Sequence, residues 1–120
     1  MICLRTIVAG RLLLAICLVS ACSSVHDLEM KPASVEFDSA KTPTQLAACI
    51  TEKWSEHNPP IETQLRTHGF VVSIRNEATG GGVVSSAVIT ELGEGSHLRY
   101  AELDISVGFG WMAPSVMACK

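Results

Sequence analysis

The first 21 residues constrain the fold most, because they have the features of an export signal and so do not belong to the folding unit. An apolar run over residues 12–19 follows Arg5 and Arg11 and is shorter than the roughly 20 residues needed to span a bilayer. No later run of the sequence approaches that length. We therefore expect residues 1–21 to be cleaved, which leaves about 100 residues, enough for one small domain.

The end of this run, Val19-Ser20-Ala21-Cys22, resembles the lipobox of Gram-negative bacterial lipoproteins. In that family an aliphatic residue and small residues precede an obligatory cysteine, which is acylated and becomes the mature N-terminus. The resemblance covers residues 1 to about 23 and implies that Cys22 is the lipidation site. Because Ser23 rather than aspartate follows, it also implies an outer-membrane anchor with the domain facing the periplasm. An ordinary secretory signal cleaved after Ala21 is the alternative.

Loss of the signal changes the charge and hydropathy of the chain. The full sequence has a net charge of −3 and a mean hydropathy of +0.31. Arg5, Arg11 and the apolar run leave together, so the mature chain is more acidic and less apolar than these values. An acidic surface excludes nucleic acid as an expected partner. Two or three acyl chains, by contrast, would make the membrane a durable partner through the N-terminal lipid.

Cysteine usage provides the second strong constraint. Cys3 and Cys17 lie in the signal and Cys22 is consumed by lipidation, which leaves Cys49 and Cys119 in an oxidising compartment. A disulfide between them would close a loop of roughly 70 residues and stabilise the domain by about 4 kcal/mol, because it removes chain entropy from the unfolded state. A redox-active pair or two metal ligands are the alternatives, although the sequence has no Cys-x-x-Cys motif.

The strongest helix signal begins at Thr42. Thr42 suits the N-cap, Pro43 suits the first helical position, and Gln45 completes a Thr-x-x-Gln capping box. One apolar face at helical spacing carries Leu46, Cys49, Ile50 and Trp54. Asn58-Pro59-Pro60 ends the helix, because proline cannot donate the next backbone hydrogen bond. The pattern predicts an amphipathic helix whose buried face includes a disulfide cysteine.

After Gly69 the apolar period changes from helical to alternating. Strands are expected over residues 70–75, 83–92 and 96–107, and Gly93-Glu94-Gly95 suits a tight turn between the last two. We therefore predict an α+β fold in which one N-terminal amphipathic helix packs on a three-stranded antiparallel β-meander. In this prediction the disulfide holds the C-terminal segment against the helix.

The segments at either end of this core are less regular. Residues 22–41 mix acidic, small and polar residues and predict a flexible tether with a reach of roughly 25 Å, although Val35 and Phe37 alternate with acidic residues as in a short strand. Residues 42–120 then form the domain. Near the C-terminus, Phe109 and Trp111 lie among glycines before a short apolar segment that we expect to be buried. The expected partner-binding surface is a patch near Phe109 and Trp111 or, alternatively, an open sheet edge.

The polar residues do not form a recognisable catalytic or metal-binding motif. His57, His68 and His97, with Glu56, Glu62 and Glu102 near them in sequence, lack compact metal-ligand spacing, and solvated loop histidines are the simpler interpretation. Thr79-Gly80-Gly81-Gly82 lacks the Lys-Ser/Thr of a phosphate-binding loop and suits a hairpin connection. A Gly-x-Ser-x-Gly nucleophile motif is absent from the sequence. We therefore expect neither enzymatic activity nor a metal or cofactor.

Two classes of function are left open by the sequence. The first is a lipid-anchored, non-enzymatic envelope module that binds a protein or a cell-wall component. The second is a periplasmic inhibitor or immunity lipoprotein that blocks a lytic enzyme. The overall pattern also resembles small uncharacterised disulfide-containing lipoproteins of Gram-negative bacteria, a resemblance that implies no activity.

Overall fold

The computed structural model describes residues 24–76, 81–103 and 110–120. Five of its elements are strands, and these form one antiparallel sheet in the order β1-β5-β4-β3-β2. The elements follow the chain in this order: α1 (Val25–Glu29), β1 (Val35–Ser39), α2 (Pro43–Ser55), β2 (Ile61–Arg66), β3 (Gly69–Asn76), β4 (Gly82–Leu92), β5 (Gly95–Glu102) and α3 (Met112–Ala118). The fold is therefore α+β, with helices on both faces of a single sheet.

The predicted three-stranded meander with an N-terminal helix is wrong. Strands β3, β4 and β5 do form a meander, but β2 extends it on one side and β1 on the other. Helix α2 is not N-terminal either, because α1 and β1 precede it. Both of these elements fall within residues 22–41, the segment expected to be a tether. The alternation at Val35 and Phe37 does form a strand, since both side chains pack against the core once β1 pairs with β5.

Helix α2 follows the local signals in its sequence. The Thr42 hydroxyl accepts from the Gln45 amide, and the Gln45 side chain accepts from the Thr42 amide, so the predicted capping box is formed. The helix ends at Ser55, and Asn58 then adopts a left-handed conformation with φ 54° before Pro59. The predicted start and end of this helix are confirmed.

One face of the sheet, here called the α2 face, is covered by α2 and α3. Its largest fully buried side chain is Trp54, which packs edge-on against Tyr100 of β5 with 6.1 Å between ring centroids. Most core residues alternate along their strands, and Val84 departs from the period of two where the β3–β4 register shifts between Ile74 and Arg75. The core residues from the strands are Val72, Ile74, Val84, Ala87, Ile89, Leu98 and Tyr100.

The opposite face, here called the α1 face, carries a smaller apolar cluster. Leu28 of α1 is fully buried against Val83 and Ala101. Ser24 and Asp27 form a second capping box that fixes the start of α1. Beyond this cluster, Arg66 of β2 forms an ion pair with Glu29 at 2.5 Å. Buried Leu28, partly buried Val25 and the Glu29 ion pair thus hold α1 on the sheet, and Arg99 of β5 donates to the Lys31 carbonyl oxygen just after it.

Two glycines allow strands to approach more closely than any side chain would permit. A Cβ atom at Gly69 would lie 1.8 Å from the carbonyl oxygen of Ile89, and one at Gly95 would lie 2.1 Å from that of Ser39. Both positions lie at the turn end of the sheet, where β2 meets β3 and where β4 meets β5. Larger residues there would push the neighbouring strand away.

Substitution of Trp54 by alanine tests the packing of α2 on the sheet. We expect Trp54→Ala to lower the free energy of unfolding by about 3 kcal/mol, because it opens a cavity under α2 and removes the hydrogen bond from the Trp54 indole N–H to the Met112 carbonyl oxygen of α3. Chemical denaturation measures the change. Glu52→Ala, an exposed site on the same helix, should change stability by less than about 0.5 kcal/mol. An unchanged denaturation midpoint for Trp54→Ala would contradict the packing of Trp54 in the core.

Candidate functional site

Helices α2 and α3 and the disulfide that joins them form what we call the stapled corner. Cys49 and Cys119 are bonded, with 5.9 Å between their Cα atoms and a separation of 70 positions in sequence. The predicted disulfide is therefore present, and it closes the long loop that gives about 4 kcal/mol in the chain-entropy model. Lys41 donates to the Cys119 carbonyl oxygen at 2.6 Å, which fixes the C-terminal residues beside the start of α2.

The buried aromatic pair of Trp54 and Tyr100 packs between α2 and the sheet and supports the stapled corner. The Trp54 indole N–H donates to the carbonyl oxygen of Met112 at 3.2 Å, so α3 is hydrogen-bonded to α2 as well as disulfide-linked to it. The Tyr100 hydroxyl donates to Glu102 at 2.6 Å. Burial, followed by the neighbouring Glu102 carboxylate, raises the pKa of Tyr100, while the Ser85 hydroxyl acts in the opposite direction. Tyr100 is therefore a neutral structural donor.

Trp111 lies at the rim of the stapled corner, just before α3. Its ring stacks on the His57 imidazole with 4.2 Å between centroids and 4° between planes. Trp111 is partly buried against the core, whereas His57 is exposed. Phe109, the other residue of the expected partner-binding patch, lies outside the described residues, as does the lipidation candidate Cys22. Sequence spacing gave no sign of the contact, because 54 positions separate its two residues.

A histidine between two carboxylates lies on the α1 face, and sequence reasoning missed it. His97 of β5 has Nδ1 at 2.6 Å from Asp38 and Nε2 at 3.0 Å from Glu36, both on β1. Ionised carboxylates only accept hydrogen bonds, so both ring nitrogens donate when the imidazole is charged. The hydrogen bond to Asp38, and then that to Glu36, raises the pKa of His97. His97 lies in a strand, as the alternation over residues 96–107 predicted, but its carboxylate contacts were not predicted, since only the β1–β5 pairing brings these residues together.

The remaining candidate residues are spread over the fold. His68 lies 3.6 Å from Glu91 at the turn end of the sheet, and Glu62 binds Arg75 at 2.7 Å. Within the described ranges, no group of three or more His, Cys, Asp or Glu side chains is arranged to hold a metal ion. Gly81 and Gly82 lead directly into β4, in agreement with a connection between strands, while residues 79 and 80 lie outside the described part.

The serines expected to lack catalytic partners occupy structural positions where they are described. Ser85 and Ser86 are buried within β4. Ser96 donates to the carbonyl oxygen of Lys41 at 2.8 Å, and Ser115 donates to that of Trp111 at 2.7 Å. The Ser96 hydroxyl therefore joins β5 to the residue before the α2 cap, whereas the Ser115 hydroxyl bonds within the first turn of α3. Ser106 lies outside the described residues.

An open groove of about 350 Å³ lies at the turn end of the α2 face. Its lining includes Thr42 at the start of α2, Leu65 of β2 and Glu91 of β4. Leu65 is 75% exposed, so the groove continues onto the outer edge of the sheet.

Replacement of His97 tests the carboxylate contacts through their pH dependence. Because the folded-state pKa is raised, the stabilisation by His97 is complete below its unfolded pKa near 6.5 and is lost as the pH rises through the folded value. His97→Gln should therefore be more destabilising at about pH 5.5 than at about pH 9. Thermal melting at the two pH values measures the difference. In an Asp38→Asn background the pH dependence should shrink, and equal effects at both pH values would contradict the assignment.

Comparisons with known proteins add no relative to these observations. No protein-family model, curated protein or solved structure matches the chain significantly. Among the described residues, none of the helices has the length and apolar composition needed to cross a membrane.

Proposed function

We propose that this chain is a lipid-anchored cell-envelope protein whose small domain lies against the membrane and acts as a non-enzymatic binding or structural module. The observation that carries the proposal is the short distance in sequence between Cys22 and the folded domain. Ser24 caps α1, which begins at Val25. Two residues span at most about 7 Å, so an acyl group on Cys22 would hold α1 at the bilayer surface.

The packing of α1 supports a defined orientation of the domain. Leu28 is fully buried and Glu29 is bound to Arg66, so α1 does not act as a free tether. An anchor at Cys22 would therefore turn the α1 face toward the bilayer. Met30, directly after α1, is 76% exposed and would lie at the lipid interface.

The stapled corner supports a binding role on the side away from the membrane. It belongs to the α2 face, and a disulfide there suits an oxidising envelope compartment. The stacked pair of Trp111 and His57 offers a flat aromatic surface of the kind that is enriched at binding interfaces. We propose that an envelope protein or a cell-wall component contacts this corner. In this proposal the serine hydroxyls described above have structural rather than catalytic roles.

Mass spectrometry of the full chain, produced in a Gram-negative host and extracted from membranes, tests the anchor. We expect the mature protein to begin at Cys22 and to carry the mass of a diacylglyceryl group and an N-acyl chain. Cys22→Ala should remove these masses and release the protein from the membrane fraction, because the anchor is lost. A water-soluble wild-type form that begins at another residue would refute the proposal.

A polarity-sensitive fluorophore tests the orientation. We expect the emission of a probe on Met30→Cys to shift to the blue in membranes, because the α1 face contacts lipid. The matched control is Met117→Cys on α3, an exposed methionine on the opposite side of the sheet. Its emission should match that of the protein in solution, and equal shifts at both sites would contradict the orientation.

A further inference from the structure

Strand β2 is an exposed edge in the part of the chain that the structure describes. It pairs with β3 on one side, and the sheet order puts no described strand on the other. Five of its six residues are exposed, among them Leu65 at 75%. Unpaired edges template pairing with another chain unless a charge, a proline or a cover prevents it. The prolines of this region, Pro59 and Pro60, precede the strand and leave its edge open.

The direction of the backbone groups on β2 follows from one hydrogen bond. The Arg75 amide donates to the Pro60 carbonyl oxygen at 3.2 Å. Bonded residues alternate in an antiparallel pair, so Glu62, Gln64 and Arg66 also direct their backbone groups toward β3. The backbone groups of Ile61, Thr63 and Leu65 therefore point outward from the sheet. The outward N–H and C=O groups of these three alternate residues form a row long enough to pair with an added strand.

A second copy of β2 fits this ladder when Thr63 lies on a two-fold axis. In that register Ile61 lies opposite Leu65 of the partner subunit, and both side chains lie on the α2 face. On the α1 face Glu62 lies opposite Gln64 of the partner subunit and diagonally from both Glu62 and Arg66 of the partner subunit. Within each copy Arg75 already forms an ion pair with Glu62 at 2.7 Å. The register uses every outward backbone group of β2 and covers the exposed leucine, while the Arg75 ion pair offsets the charge of each Glu62 near the axis.

We propose that two copies of this chain associate through antiparallel pairing of their β2 strands, with Thr63 at the two-fold axis. The two five-stranded sheets then form one ten-stranded sheet. The other edge does not favour the same pairing, because β1 carries Glu36 and Asp38 on one face and self-association would bring like charges together. The second copy is therefore assigned to the β2 edge.

The symmetry of this pairing agrees with attachment to one membrane, a point that rests on the proposed lipid anchor. A two-fold axis normal to the sheet leaves the α1 face of both copies on the same side. Both Cys22 anchors would then enter the same leaflet, and both stapled corners would point away from it. A six-residue edge buries less area than stable soluble dimers need. Confinement of both copies to one membrane would raise their local concentration and so favour the pairing.

Cysteine crosslinking of the full chain in whole cells tests the pairing and its register. Thr63→Cys places two thiols across the axis, at the Cα separation that a disulfide spans. Gln64→Cys is the matched control, an exposed neighbour that lies opposite Glu62 of the partner subunit rather than opposite itself. We expect Thr63→Cys to form the disulfide-linked dimer about tenfold faster, because its two thiols lie together. Faster crosslinking at Gln64→Cys would overturn the register, and no dimer from either variant would overturn the pairing.

Substitution of Thr63 by proline or by alanine distinguishes backbone pairing between copies from side-chain contacts between them. The Thr63 amide points outward, so Thr63→Pro removes a donor used only between copies and leaves the ladder with β3 intact. We expect Thr63→Pro to abolish crosslinking by a membrane-permeant amine-reactive reagent, whereas Thr63→Ala should retain it. Unchanged melting midpoints would show that both variants fold. Retained crosslinking in folded Thr63→Pro would overturn the proposal.

The acylation state of Cys22, measured on the same cells, separates this inference from the proposed anchor. A monomeric Thr63→Cys variant with acylated Cys22 would overturn the dimer alone. A dimeric variant without the acyl group would support the pairing and overturn the anchor.

Discussion

The rest of the structure depends on the burial of Trp54 between α2 and the sheet. Its ring fills the space above Tyr100, and its indole N–H holds the first residue of α3. The Cys49–Cys119 disulfide joins the same two helices, so a covalent bond and an aromatic contact act on one interface. A domain of this size buries a limited apolar area, and removal of either contact would cost a large share of its stability.

The two faces of the sheet differ because different interactions stabilise the helices packed on them. The α2 face is apolar, covalently closed and continuous with the main core. The α1 face depends on a small apolar cluster and on charged pairs, among them Arg66 with Glu29 and His97 with its two carboxylates. This asymmetry supports a proposed arrangement in which the α1 face lies toward the membrane and the stapled corner lies away from it. It also leaves β2 accessible at the edge between them.

Strand β2 shows why an element can escape sequence reasoning. Ile61, Thr63 and Leu65 share one face, but five of the six residues are exposed and no strong apolar alternation results. The strand exists because β3 offers a complete hydrogen-bonding edge and a two-residue turn at Thr67 and His68 returns the chain to it. Strand β1 had the required alternation, yet its partner β5 lies about 60 residues further along the chain. The β1–β5 pairing therefore lies outside any local window, whereas β2 is adjacent to β3 in sequence but lacks the apolar alternation that predicts a strand.

The sequence by itself determined the elements whose signals are local. It defined α2 through a capping box, an apolar face and a terminal Asn58-Pro59-Pro60. It also indicated the pairing of Cys49 and Cys119, because few cysteines lie outside the predicted signal segment. Only the tertiary structure decided the five-stranded sheet and the position of α1 directly after its N-cap Ser24. It also decided the carboxylate contacts of His97 and the stacking of Trp111 on His57. The reason is physical: capping and periodicity act over a few neighbouring residues, whereas these contacts join residues brought together only when the sheet closes.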